Sequence, residues 1–181
     1  MFNLAAVNWL APRQAPRADR RHYLRRMSAP PFVPPDFDVP SGLAGPGFTL
    51  VPLTPDRNPG DFAAWTSSME HIHATPGFEG RPWPSAMTAE ENLGDLEGHA
   101  EDFRLRRGFT YTVLEGDDEV IGCVYIYPAD PPASGADVRS WVRADRSHLD
   151  APLYESVSAW LRAEWPFASV RYAPRSTAPP A

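Results

Sequence analysis

Phe109-Thr110-Tyr111-Thr112-Val113-Leu114, then Gly116-Asp117-Asp118, then Val120-Ile121-Gly122-Cys123-Val124-Tyr125-Ile126-Tyr127: this stretch decides the fold. Both flanking runs are dense in β-branched and aromatic residues, and the short acidic piece between them supplies turn chemistry, so the pair reads as a β-hairpin. Asp137 to Arg143 reads as a third strand. From Leu153 apolar residues recur at helical spacing, with Val157, Trp160 and Leu161 on one face. Asp150 stands as the N-cap of that helix and Pro152 lies in its first turn. A last short strand ends near Tyr172. A strand that feeds a helix through a short loop brings backbone N–H groups to the helix start, where phosphates bind.

Working outward, Phe48 to Leu53 reads as a first strand. Asn58-Pro59 opens a helix whose apolar face is Phe62, Trp65, Met69 and Ile72, and Pro76-Gly77 stops it. Thr88 and Glu91 form a capping box for a second helix with Leu93, Leu96, Ala100 and Phe103 as its buried stripe. Arg104, Arg106 and Arg107 favour its C-terminal end before Gly108. The order is strand, two helices, three strands, helix, strand, which predicts an α/β (α+β) domain over residues 48–172 with a mostly antiparallel sheet flanked by helices. Residues 1–47, with Pro30-Pro31 and Pro34-Pro35, are expected to be extended or disordered, and 173–181 a flexible tail.

Charge is unevenly spread. Residues 1–26 hold six arginines against Asp19 alone, whereas the whole chain has 17 cations and 23 acids. A basic arm for nucleic acid or a membrane surface is one reading of this segment, an Arg-rich targeting peptide a second, and a true start at Met27 the preferred third. The acidic remainder argues against a nucleic-acid binder, and no segment reads as membrane-spanning. Cys123 is the single cysteine and is expected to be a small buried hydrophobe in a reducing, cytoplasmic compartment. All 17 cations are arginine, which fits a GC-rich bacterial genome and excludes lysine catalysis and a Walker-type phosphate loop.

The phrasing Gly108 to Val113, Val120 to Ile126 and Trp141-Val142-Arg143, in this order of elements, resembles the GNAT superfamily of acyl-CoA-dependent N-acetyltransferases. The resemblance implies transfer of an acetyl or other acyl group from acyl-CoA to a small-molecule or peptide amine by direct attack, with no metal. It places the cofactor along Trp141, Val142, Arg143, Arg146, Ser147, His148, Leu149, Asp150 and Ala151. Its pyrophosphate loop usually reads Arg or Gln, two residues, Gly, one residue, Gly or Ala. Here Arg146 and Ala151 match the ends, while Leu149 stands at the glycine and Asp150 at the free position. Arg139, Arg143 and Arg146 are candidate phosphate partners, the first two sharing one strand face.

The amine must lose a proton, so a carboxylate or His is required near the acceptor. The resemblance puts the acceptor cleft between the first two helices and the sheet, which nominates Glu70 as catalytic and His73, Trp83 and Tyr125 as substrate-binding. Tyr154 and Tyr172 are the candidates to protonate a departing thiolate. Backbone N–H groups around Trp141 to Arg143 would polarise the thioester oxygen. His71 and His73, two apart, do not share a helical face, so a zinc pair is not expected. The family usually continues into a further helix and strand pair, so a homodimer that supplies strands is one expectation. A GNAT-fold protein that binds acyl-CoA or a protein partner without catalysis is the alternative reading.

Overall fold

The computed structural model describes residues 32–129 and 135–175. The readings of the basic arm, of Met27 and of residues 176–181 lie outside these. Six strands form one sheet in the order β1 to β6. They are β1 (Leu43–Gly45), β2 (Phe48–Pro52), β3 (Phe109–Glu115), β4 (Glu119–Pro128), β5 (Gly135–Val142) and β6 (Ser169–Tyr172). Neighbours pair antiparallel through β5, and β5 and β6 run parallel. Helices α1 (Asn58–Thr66), α2 (Met69–Ala74), α3 (Ala89–Arg104) and α4 (Asp150–Glu164) flank it. This is the mixed, mostly antiparallel α/β architecture read from the sequence.

The strand pattern divides the core in two, because alternate side chains leave a strand on opposite faces. Ile121, Val124 and Ile126 of β4 pack with Leu153, Val157, Trp160 and Leu161 of α4. Cys123 and Trp141 pack on the other face with Trp65, Ile72 and Leu96 from α1, α2 and α3. The hairpin turns at Gly116, whose φ of 60° lies in the left-handed region that glycine tolerates. Gly122 serves a different need: a Cβ there would lie 2.2 Å from the Trp141 carbonyl oxygen of β5. Thr88 and Glu91 make the reciprocal capping box at the start of α3.

Three expectations are corrected. The helix expected to run from Asn58 to Pro76 breaks at Ser67-Ser68. Ser67 Oγ donates to the Ala64 carbonyl, and the buried Ser68 Oγ accepts from the Ala144 N–H at 3.0 Å. Hydroxyls that bond locally or across the fold compete with helix continuation. On α3 Leu96 is buried as expected and Phe103 packs against the core, but the other fully buried positions are the polar Asn92 and Asp102, while Leu93 and Ala100 are half-buried. Residues 32–47 are not loose: Val33 is buried in the core, with Phe32, Phe37 and Val39 against it. Arg106 fastens this segment by donating to the carbonyls of Pro34 and Phe37.

Candidate functional site

β5 and β6 are in register for only four pairs, from Gly135 with Ser169 to Val138 with Tyr172. β5 continues to Val142, still paired with β4 on its other edge. From Arg139 onward its β6-facing edge is therefore outside the ladder, and a gap opens between the strand ends. Backbone groups alternate sides along a strand. Those of Ser140 and Val142 face the gap, while the Arg143 N–H turns the other way and donates to the Ile121 carbonyl of β4 at 2.7 Å. Of Trp141, Val142 and Arg143, Val142 is thus the one whose N–H is directed into the opening.

Side chains converge on this gap. The Tyr172 hydroxyl and Ser140 Oγ are 2.5 Å apart, and the Tyr172 and Tyr154 rings lie 4.7 Å centroid to centroid. Burial pushes the Tyr172 hydroxyl above the ordinary phenol range, against the lowering effect of Ser140, so it stays protonated at neutral pH. Beside both rings sits Arg175, its side chain 3% exposed. Its Nε donates to Asp150 Oδ2 at 2.7 Å. Its Nη1 donates to the carbonyls of Pro76 and Ala173. Its Nη2 donates to the carbonyl and the hydroxyl of Ser140 at 2.8 and 3.1 Å. Every N–H of the guanidinium is occupied.

The loop between β5 and α4 is a pair of 3-10 turns over Ala144–Leu149. Leu149, 7% exposed, turns into the core, so it is not the residue that approaches a phosphate. Placing Leu149 at the intervening apolar position shifts the loop pattern by one residue. Asp145 then falls at the cationic position, and His148 and Asp150 at the two small-residue positions. The N-cap reading of Asp150 is also corrected: it is the first residue of α4, Leu149 caps without a side-chain bond, and the Asp150 carboxylate goes to Arg175 instead. Ser147 and His148 are exposed, and Ala151 is half-buried.

Arg143 and Arg146 are already engaged. Arg143 pairs with Glu119 and Asp145, each at 2.6 Å. Arg146 pairs with Glu115 at 2.7 Å and Asp145 at 3.0 Å, with Glu119 at 3.6 Å. The hydrogen bond from Arg143 and the charge of both arginines hold the Asp145 carboxyl below its usual range. Two cations against three acids leave this corner no surplus positive charge. Arg139, expected to share a face with Arg143, is separated from it: β5 ends at Val142, and Arg139 lies beside Gly77.

On the opposite face Trp83 sits at the centre of an aromatic group. Its ring lies 5.7 Å from Phe78, 6.0 Å from Trp65, 6.2 Å from Trp141 and 6.3 Å from Tyr125. Trp141 Nε1 donates to the Tyr125 hydroxyl at 3.3 Å, and burial pushes that hydroxyl well above the phenol range. His73 Nε2 donates to the Pro84 carbonyl at 2.8 Å, so His73, Trp83 and Tyr125 belong to one neighbourhood. Glu70 is exposed on α2, and no hydrogen bond or ion pair among the described residues ties it to Tyr154 or Tyr172. The aromatic face and the gap meet at Pro76, whose carbonyl accepts from Arg175.

Solved structures share this fold. RimJ of Mycobacterium smegmatis, in complex with CoA-disulfide, superposes with a TM-score of 0.57 at 14% identity over 75% of this chain and 67% of its own. The microcin C7 self-immunity acetyltransferase MccE, with acetyl-CoA and AMP, gives 0.55 at 12% over 68% of this chain and 66% of its own. RimL, a ribosomal L7/L12 α-N-protein acetyltransferase, gives 0.51 at 11% in its apo form over 67% of this chain and 64% of its own. This is the GNAT fold. The chain spans about two-thirds of the length of these neighbours. No protein-family model matches the sequence, and comparison with curated proteins gives no match.

Within the GNAT fold, the gap beside β5 is where the sequence resemblance places the cofactor. The residues do not fit that ligand while Arg175 is seated: the guanidinium occupies the unpaired edge of β5, the loop has no glycine, and Asp145 and Asp150 would stand against a diphosphate. Sequence reasoning missed Arg175, which carries no periodicity in a Pro- and Ala-rich end, and Ser140, its acceptor. It also missed a buried polar network. Asp61 Oδ2 accepts from Asn92 Nδ2 at 2.9 Å, Asn92 Nδ2 also donates to Asn58 Oδ1, and Trp65 Nε1 donates to Asn92 Oδ1 at 2.9 Å. A signal for it existed, since Asp61 lies four residues before Trp65 and therefore on the same helical face.

Proposed function

We propose that this chain is an N-acyltransferase that moves an acyl group from acyl-CoA to an amine. The observation that carries the reading is the gap between β5 and β6, at the position where the GNAT fold is suited to take a thioester. The Val142 N–H faces it and is placed to polarise a carbonyl oxygen. Tyr172, held protonated by burial, and Tyr154 beside it are the proton donors at its rim. Glu70, exposed on α2, is the base for the amine, with Trp83 and Tyr125 forming the acceptor wall and His73 bracing it through Pro84. The net charge of −6 favours a cationic acceptor. The outer edge of β6, with Val170 40% exposed, is the surface for a homodimer. No helix among the described residues is long and apolar enough to cross a membrane.

A second reading, a GNAT-fold protein that binds a partner without catalysis, is favoured by the glycine-free loop and the seated Arg175. Calorimetric titration of the full chain with acetyl-CoA, followed by a thiol-release assay over an amine library, separates the two. Micromolar binding with amine-dependent thiol release supports the transferase. Absence of binding at millimolar ligand refutes it and leaves the second reading.

A further inference from the structure

Arg175 is over-committed for a residue near the end of an edge strand. It fills the gap, satisfies itself on five acceptors or acceptor contacts, and stacks its guanidinium over Tyr172 and Tyr154 at 5.5 and 5.8 Å from the ring centroids. Its Nη2 holds the Ser140 carbonyl, on the edge of β5 that no strand pairs and where a peptide-like ligand arm would have to bond. Its Nε holds Asp150, which would otherwise present a bare carboxylate at the start of α4. Ligand and arginine therefore compete for the same backbone edge, and they cannot both occupy it.

The segment that carries Arg175 is also built to come away. β6 has four residues, three of them exposed, and pairs on one side only. Pro174 is exposed. Asp150 Oδ1 is buried with no hydrogen-bond partner, so the closed arrangement leaves one acceptor unsatisfied, a cost that water relieves when the segment lifts. Edge elements with few buried contacts open at low free energy.

We propose that Arg175 is a latch: seated between β5, α4 and β6 it closes the acyl-CoA gap, and its withdrawal, together with residues 173–175, opens it. This rests on the acyl-CoA reading above. A ligand that must wait for a minor open state binds more weakly in proportion to the closed fraction. A latch closed nine-tenths of the time weakens binding about tenfold.

The test is calorimetric titration with acetyl-CoA of the wild-type chain, R175A and R175Q, with melting temperature checked for each. D150N and R175A/D150N form a second comparison; the double variant removes both partners of the ion pair and strands no buried charge, so a folding failure of R175A does not decide the matter. Tighter binding by about tenfold or more in R175A or R175Q, and in R175A/D150N over D150N, is expected. In the wild type, hydrogen exchange of residues 169–175 should speed up when acetyl-CoA is added. Equal affinities with unchanged exchange overturn the latch and leave the acyl-CoA reading standing. Weaker binding in the variants also overturns it, making Arg175 a ligand contact. Failure of every protein to bind overturns the acyl-CoA reading and the latch with it.

Discussion

Replacing Asp61 by Asn should stabilise the protein at neutral pH. Asp61 is 5% exposed, and no cation among the described residues pairs with it. Its one described hydrogen bond comes from Asn92, and burial outweighs that bond, so its carboxyl is pushed above the ordinary range. The folded state then holds this proton more tightly than the unfolded chain does. Stability from this group is complete below the unfolded value of about 3.9 and falls as pH rises through the raised folded value. At neutral pH the wild type carries the cost of a desolvated charge. Asn keeps an oxygen for Asn92 and removes the charge, a gain of about 1–2 kcal/mol, or about 2–8 °C in a domain of this size. Ala instead leaves a buried N–H of Asn92 without its acceptor and should cost about 1–3 kcal/mol. Urea unfolding of the three proteins between about pH 4 and 7 reads both effects. The reasoning is refuted if the Asn variant gains nothing at neutral pH, or if its gain does not shrink as the pH is lowered.

Gly122→Ala should destabilise by about 1–3 kcal/mol, because its Cβ meets the Trp141 carbonyl. By contrast Gly94→Ala and Gly98→Ala, which face open space on α3, should each gain about 0.5–1 kcal/mol in the same urea titration. Arg146→Ala should change acetyl-CoA affinity by less than about threefold, since its guanidinium is engaged by Glu115 and Asp145; a loss of tenfold in calorimetry would return Arg146 to the ligand site. Cys123 is fully buried and burial raises its thiol well above the ordinary range, so a disulfide reagent should label it only after unfolding. Rapid labelling of the native chain would contradict its place under α1.

What was legible in the sequence was what local periodicity encodes. The hairpin, β5, the capping box of α3 and the stripe of α4 all rest on residues within a turn or two of one another, and they lie where expected. Tyr154 and Tyr172, named from the sequence as candidate proton donors, lie together at the gap. What was not legible depended on single long-range bonds. Ser68 breaks its helix for the N–H of Ala144, 76 residues along the chain. Leu149 and Asp150 are adjacent, yet one faces the core and the other Arg175, a division set by the start of α4 and by a partner 25 residues away. Residues 32–39 have the composition of a loose strap, and their order comes from Arg106 and from stacking of Phe32 on Phe167 at 4.7 Å. None of these has a pattern that a window along the chain can detect.

The sheet's wiring also sets an order of assembly. β3, β4 and β5 form a meander of consecutive neighbours within residues 109–142, so their pairing closes only short loops, which is fast. β2 must find β3 across the three helices α1 to α3, and β6 must return beside β5 after α4, in the parallel sense that no tight turn allows. Folding should therefore start in the meander and finish with β6, with high φ-values in β3 and β4 and values near zero at Val170 and Tyr172. The gap has no second wall until that final strand docks, so a nascent chain acquires its stable core before it acquires anything resembling a site.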